Sequence, residues 1–182
     1  DHYKHNAVNL ERAMHVADII MVNIGLHMNV FNDAQCEAYR DMLRALFAQV
    51  KEWALEPGHV FIFQQTSAQH FASVDGSGLF ERHTKRKPRD PCVCTPMNST
   101  DKQIRNALLD EIRDEVDPDH EWVHILPLWE MTRDDHAVHS GLRINPKGEP
   151  VDCDCTHFCF APALSEAWMA AIVRILRSAA AS

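Results

Sequence analysis

An α/β domain on a mostly parallel sheet is what this sequence predicts, and three observations predict it. Two runs, Ala17 to Ile24 and His59 to Gln64, are continuously apolar enough to read as buried strands. Between them lies an amphipathic segment with Tyr39, Met42, Leu43, Leu46, Phe47 and Val50 at a 3.6-residue period. Strand, helix and strand in that order imply a right-handed parallel crossover. The 182 residues suffice for one domain with a real core, read as residues 1–182.

Taken in order, residues 1–6 are a polar tail or connection, and Ala7 to Val16 can form a short helix capped by Asn6. The first strand ends at Gly25, and Leu26 to Asn29 form a loop. Asn32 or Asp33 caps the long helix, which runs to about Leu55 and is stopped by Pro57-Gly58. After the second strand, Thr66 to about Thr100 is loop-like, with Gly76, Gly78, Pro88, Pro91, Pro96 and a basic cluster from Arg82 to Arg89. So long an irregular segment is usually functional or pinned by disulfides. Asp101 to Val116 is a helix with Ile104, Leu108, Ile112 and Val116 on one face, and Trp122 to Leu126 is a third strand. Residues 127–160 read as loop. Ala163 to Ala180 close the chain as a helix with Leu164, Trp168, Ile172, Ile175 and Leu176 facing inward.

A net charge of −8 argues against a general nucleic-acid binder, while leaving room for a local basic groove. No apolar run approaches the roughly 20 residues that span a bilayer. The sequence begins with Asp1, so a processed or partial product is expected, and any membrane link would come through an upstream anchor. Six cysteines stand at 36, 92, 94, 153, 155 and 159. An even count, clustered late, fits disulfides formed in the secretory pathway. The alternative is zinc on Cys92-x-Cys94 and Cys153-x-Cys155-x3-Cys159, although structural zinc sites usually use wider knuckles. Asn98-Ser99-Thr100 is an N-glycosylation sequon and supports the secretory reading.

The densest chemistry lies in Asp152-Cys153-Asp154-Cys155-Thr156-His157-Phe158-Cys159-Phe160-Ala161-Pro162. A carboxylate three residues before an imidazole, on a tight loop, can fold back and accept the ring Nδ1–H. That fixes the tautomer and leaves Nε2 as a general base. Asp154 and His157 are therefore the candidate orienter and base. Three further segments follow strands, where α/β folds place ligands. Gly25 can present a backbone N–H to an oxyanion. Gln65-Thr66-Ser67-Ala68-Gln69-His70 follows the second strand. Trp129-Glu130-Met131-Thr132-Arg133-Asp134-Asp135-His136 follows the third, and its Arg133 could orient a carboxylate or an acyl or sugar oxygen.

Together these segments resemble the PC-esterase family, which includes the trichome-birefringence-like polysaccharide O-acetyltransferases and belongs to the GDSL/SGNH hydrolase clan. The specific motif is Asp154-Cys155-x-His157-Phe158-Cys159-x-x-Pro162, followed by a Trp168-bearing helix. Thr66-Ser67-x-x-His70, which resembles the family's Thr-x-Ser-x-x-His, and Arg133-x-Asp135-His136, one residue tighter than the family's Arg-x-Asp-x-His, support it by position. The Gly25 position matches the clan's Gly-x-Asn block, with His27 as third residue. The resemblance implies an SGNH-hydrolase-like three-layer sandwich with a mostly parallel central sheet, whose N-terminal part lies outside this chain. It puts Cys94, Cys155 and Cys159 on family cysteines and places Cys36 and Cys153 nowhere.

The family's nucleophile sits in a Gly-Asp-Ser block upstream of the Gly25 strand, and no serine precedes Gly25 here. Asp75-Gly76-Ser77 has the wrong order and lies after the second strand. The resemblance therefore implies a serine esterase or O-acyltransferase acting on carbohydrate hydroxyls, with the serine supplied from upstream. His157 and Asp154 would be catalytic, Gly25 would serve the oxyanion, and His27, His70, Arg133 and His136 would line the substrate. Its partners would be an acyl donor and a carbohydrate acceptor, with no metal or organic cofactor. It would work in the Golgi lumen, at the cell surface or outside the cell. A missing first strand would expose an apolar sheet edge, which the N-terminal segment or another chain would cover. The competing expectation is a catalytically inactive secreted or surface module that keeps the fold and docks a partner chain or glycan.

Overall fold

The computed structural model describes residues 9–28, 30–80, 91–98 and 103–180. The Asn6 cap, the Arg82 to Arg89 cluster, Ser99, Thr100 and the start of the Asp101 helix lie outside the described residues. The chain divides into two compact units: residues 1–66, 104–126 and 171–182 form one, and residues 67–103 and 127–170 the other.

The first unit is a parallel α/β assembly. Residues 9–14 are helical. Strand β1 (Ile19–Val22), helix α1 (Asp33–Ala54), strand β2 (Val60–Gln64), helix α2 (Ile104–Val116) and strand β3 (Val123–Leu126) follow. The sheet order is β1-β2-β3, all parallel, with Ile20 opposite Phe61 and Phe63 opposite Ile125. Asn32 starts α1 in extended conformation and its Oδ1 accepts the Gln35 amide at 3.0 Å, satisfying one of the helix's orphan donors. The α1 stripe of Tyr39, Leu43, Leu46, Phe47 and Val50 is buried as its period requires, while Met42 is only partly covered. Phe47 stands edge-on to Phe61, Phe63 and Trp122, the arrangement favoured by aromatic quadrupoles. Asp117 anchors the entry to β3, its carboxylate accepting the amides of Glu121, Trp122 and Val123.

Two elements depart from the sequence expectation. The run 17–24 is not buried on both faces: Ile20 is buried, but Ile19 and Met21 are 48% and 44% exposed. Among the described residues, β1 has β2 on one side only and is an edge of the sheet. Helix α2 is also rolled. Leu108 and Ile112 are buried, but Ile104 is exposed, because Arg105 and Asn106 turn inward to bind strand-end backbone. The two helices are tied on their outer faces, where Arg40 bonds Glu111 and Arg44 bonds Glu115. Such exposed pairs contribute little stability, and their equal spacing sets helix register more than strength.

The second unit holds helix α3 (Leu128–Thr132) and an antiparallel hairpin of β4 (His139–Ile144) and β5 (Pro150–Phe158). The hairpin overturns the reading of 127–160 as loop. Its turn, Asn145-Pro146-Lys147-Gly148, is closed by Asn145 Oδ1 accepting the amides of Lys147 and Glu149. The register slips twice inside it, once between Arg143 and Ile144 near the turn and once further along, where His139 pairs Phe158 but Gly141 pairs Asp154. β5 thus takes two residues more than β4 over this span and bulges. Gly141 sits at the slip with φ +67, a conformation glycine adopts freely.

Two disulfides, Cys92–Cys153 and Cys94–Cys155, sew residues 92–94 onto β5. This corrects the cysteine assignment in one respect. Cys94 and Cys155 are bridged, but Cys159 is free and exposed. Bridging follows the matched Cys-x-Cys spacing: alternate residues of two extended segments face each other, and Cys159 lies beyond the bulge, out of that alternation. The sulfurs of Cys92, Cys153 and Cys155 cluster as a metal site would, but they do so as members of these bridges.

Helix α4 (Pro162–Ala179) begins in the second unit and ends in the first. Its stripe of Leu164, Trp168, Ile172, Ile175 and Leu176 is present at helical spacing but only half-buried, so the inward face is less covered than expected. No helix among the described residues is long and apolar enough to cross a membrane.

Candidate active site

The β5 bulge is what brings Asp154 and His157 together. In a regular strand, residues three apart face opposite sides. Here the extra residues coil the strand so that the carboxylate faces forward along it. Asp154 Oδ2 accepts the His157 ring Nδ1–H at 2.8 Å. Asp154 Oδ1 accepts the backbone amides of His157 at 2.9 Å and Thr156 at 3.1 Å. The expectation of a tight loop is replaced by a bulged strand with the same outcome. Burial pushes the Asp154 carboxyl up, but the amide and ring N–H of His157 and the Thr156 amide pull harder, holding it below the ordinary carboxylate value. The aspartate is thus an anion with a fixed direction. Its side chain is only 10% exposed, whereas the His157 side chain is 66% exposed. With Nδ1 committed to the aspartate, Nε2 is the nitrogen left for an outside partner.

The other expected site residues divide between the two units. Gly25 lies in the first, buried at the end of β1. Its carbonyl accepts the Met28 amide at 2.8 Å, and the Met28 carbonyl accepts from buried Arg105 Nε at 2.9 Å. Tyr39 donates its hydroxyl to the Ile24 carbonyl. Burial raises that phenol well above its ordinary pKa, against the opposing charge of Arg105, so it stays a donor. A side chain at Gly25 would meet Thr66 Oγ1 at 2.5 Å and the Tyr39 hydroxyl at 3.1 Å, so the turn is built around a glycine. Thr66 is clamped in turn by Asn106, which accepts its amide and donates to its carbonyl. His27 is exposed on the turn. Sequence reasoning missed Tyr39, Arg105 and Asn106 as supports of this turn. Their signal was the placing of polar residues among the core positions of two amphipathic helices.

In the second unit Arg133 lies over the Trp129 ring at 5.8 Å and its Nε donates to Asp134. His136 is half-buried in the 3-10 turn that precedes β4. His70 does not lie on an open surface. It is fully buried, its Nε2 is 2.8 Å from the Arg133 carbonyl, and its Nδ1 is 2.6 Å from His139 Nε2. Its backbone is held too: the His70 amide donates to the Cys155 carbonyl and the Thr95 amide donates to the His70 carbonyl. The stretch after β2 folds inward because Ala68 is also tied down, donating its amide to Thr132 Oγ1. His139, which the sequence did not single out, lies beside His157 in the hairpin, with Nδ1 3.2 Å from the His157 carbonyl. Ser77 is absorbed in an Asx turn, donating both its amide and its hydroxyl to Asp75. Asn98 is exposed, and its amide donates to the Gly76 carbonyl.

A histidine whose Nδ1 is held by an oriented carboxylate and whose Nε2 is left exposed is equipment for acyl transfer. Comparison with known proteins agrees. No curated protein matches the chain. Residues 10–172, however, match the family described as the GDSL/SGNH-like acyl-esterase family found in Pmr5 and Cas1p. That span includes the Gly25 turn, the His70 segment, the Arg133 turn and the Asp154–His157 bulge, and the chain therefore belongs to the PC-esterase family.

Proposed function

We propose that this chain carries the base, its orienter and an oxyanion amide of a serine acyl-transfer site working on carbohydrate hydroxyls in the secretory pathway. The single observation that carries this is the Asp154–His157 pair, whose hydrogen bonds fix one ring tautomer and leave Nε2 on an exposed imidazole. Such an arrangement is costly to build and has an immediate use: Nε2 takes the proton of an attacking hydroxyl while Asp154 stabilises the imidazolium.

The nucleophile is a serine on a segment outside residues 1–182, paired along the free edge of β1. Support comes from the exposed Ile19 and Met21 on an edge strand. A strand laid there would end beside Gly25. In the first half-reaction the serine Oγ bonds to the acyl carbon as its proton passes to His157 Nε2. The bond to the donor's alkoxide then breaks, and the alkoxide leaves with that proton. In the second, a carbohydrate hydroxyl or water gives its proton to Nε2 and takes the acyl group. The Gly25 amide would bind the oxyanion in both. Arg133 and His136 are proposed to contact the acceptor. The two disulfides support an oxidising compartment, as does the sequon at Asn98.

The test uses the polypeptide that includes the serine-bearing segment. Acetate release from p-nitrophenyl acetate is followed in that protein, in its His157→Ala variant and in its serine variant. Both variants should lose activity by orders of magnitude with unfolding temperature unchanged. Full activity in the His157 variant would end the assignment of the base.

A further inference from the structure

His70 and His139 lie buried between two backbone carbonyls, in a line running from Arg133 O to His157 O. His70 Nε2 is 2.8 Å from Arg133 O, His70 Nδ1 is 2.6 Å from His139 Nε2, and His139 Nδ1 is 3.2 Å from His157 O. Carbonyls only accept, so each end needs an N–H. Two bare nitrogens cannot face each other at 2.6 Å, so the middle contact also needs a proton. Three protons on two imidazoles make one positive charge. With the pair neutral there are only two, and one contact is left as acceptor against acceptor. The 3.2 Å contact to the His157 carbonyl is the longest and is where the defect falls. We infer that His139, backed by His70, is a positioning residue for His157: the pair takes up one shared proton and with it clamps the His157 carbonyl, and without it leaves that carbonyl to the Ser140 hydroxyl alone, whose Oγ donates to it at 3.3 Å.

The surroundings frame the event. Asp134, Asp135 and His136 face His70, and Asp154 and His136 face His139. Burial lowers both imidazoles, His139 to about 4, with the Arg133 and His157 carbonyls and the carboxylates opposing. The Phe158 ring, 4.2 Å from that of His139, helps keep water away. The proton therefore enters below the ordinary histidine range and belongs to the pair, not to one ring. The same strand residue whose carbonyl is clamped carries the ring that Asp154 orients.

The functional meaning rests on the proposed role of His157, but the proton count does not, so the readout is chosen to stand apart from activity. Protein labelled with 15N in histidine and 13C at the His157 carbonyl is followed by NMR from neutral pH downwards. The expected result is one common midpoint for the ring nitrogens of His70 and His139, with the His157 carbonyl resonance shifting at the same midpoint. In His139→Phe that carbonyl shift is lost. Separate midpoints for the two rings, or a His157 carbonyl that stays still while they titrate, would overturn the inference. The wild-type titration alone decides this if the variant does not fold. An inactive enzyme with the common midpoint intact would count against the proposed function and leave the proton-sharing pair standing.

Discussion

Asp154 grips His157 at two points, the ring through Oδ2 at 2.8 Å and the backbone amide through Oδ1 at 2.9 Å. One carboxylate thereby fixes both where the residue sits and which nitrogen carries its proton. The pairing separates geometry from charge, because an amide in place of the carboxylate can keep the backbone contact through its oxygen while its NH2 spoils the ring contact.

Asp154→Asn should therefore leave the hairpin folded and lower turnover by about 10³–10⁴-fold, the scale on which a wrong tautomer disables such a site. The new side-chain NH2 would donate to Nδ1 and move the ring proton to Nε2. Steady-state kinetics on the serine-containing protein, with histidine NMR for the tautomer, check both halves.

Gly25→Ala should destabilise the first unit by about 1–3 kcal/mol, the usual cost of overpacking. The added methyl would press on Thr66 Oγ1 and the Tyr39 hydroxyl. Thermal unfolding of Gly25→Ala, Thr66→Ala and the double variant tests this. The double variant should recover part of the loss, a positive coupling between neighbours.

The bridges Cys92–Cys153 and Cys94–Cys155 each join residues 61 apart, so either one alone closes nearly the same loop. By chain entropy the first closure is worth about 4 kcal/mol, and the second, closing only a small ring, about 2. Replacing one pair by serines should cost about 2 kcal/mol, and replacing both should cost more than twice that. Denaturant titrations of the three proteins give the comparison.

Thiol counting should find two free groups in the unfolded, unreduced chain, Cys36 and Cys159. In the native protein Cys159 should react first because it is exposed, and Cys159→Ser should leave stability within about 0.5 kcal/mol of the parent. Timed alkylation with peptide mapping reads the order.

Stability should fall on the acid side in a defined window. His139 is lowered from 6.5 to about 4, so the unfolded chain binds a proton there that the folded one refuses. Its contribution, shared with His70, is complete above pH 6.5 and is lost as pH falls towards 4. Asp154 acts later and in the same sense, its share lost as pH falls through its lowered value. Unfolding free energies between pH 7 and 4 should slope downward, and His139→Phe should flatten the slope.

The first unit was legible because long-range periodicity decides it. The apolar residues of α1 recur over many turns, and the flanking runs that became β1 and β2 are short and apolar. What was misread there depended on neighbours: β1 is an edge, and Ile104 gives way to Arg105 because the strand ends need donors. The hairpin was opaque for a different reason. β4 and β5 carry charges, cysteines and histidines on buried and exposed positions alike, so no alternation of apolar residues announced them. The Asp154–His157 pairing was readable from spacing alone, although the bulge that enacts it was not. His139 was beyond reach, since its partners come from the Arg133 turn, the His70 segment and the far side of a hairpin.

The equal spacing of the two Cys-x-Cys pairs has a consequence for biosynthesis. The observed connection runs the two segments in the same direction, 92 to 153 and 94 to 155. The crossed isomer, 92 to 155 and 94 to 153, uses the same four sulfurs and closes loops of nearly the same length, so chain entropy barely tells the two apart. Only the folded surroundings of β5 can choose between them. Protein whose sulfurs pair before the hairpin has formed must therefore reshuffle its bridges, and cells that lack a disulfide isomerase should yield more of the crossed isomer.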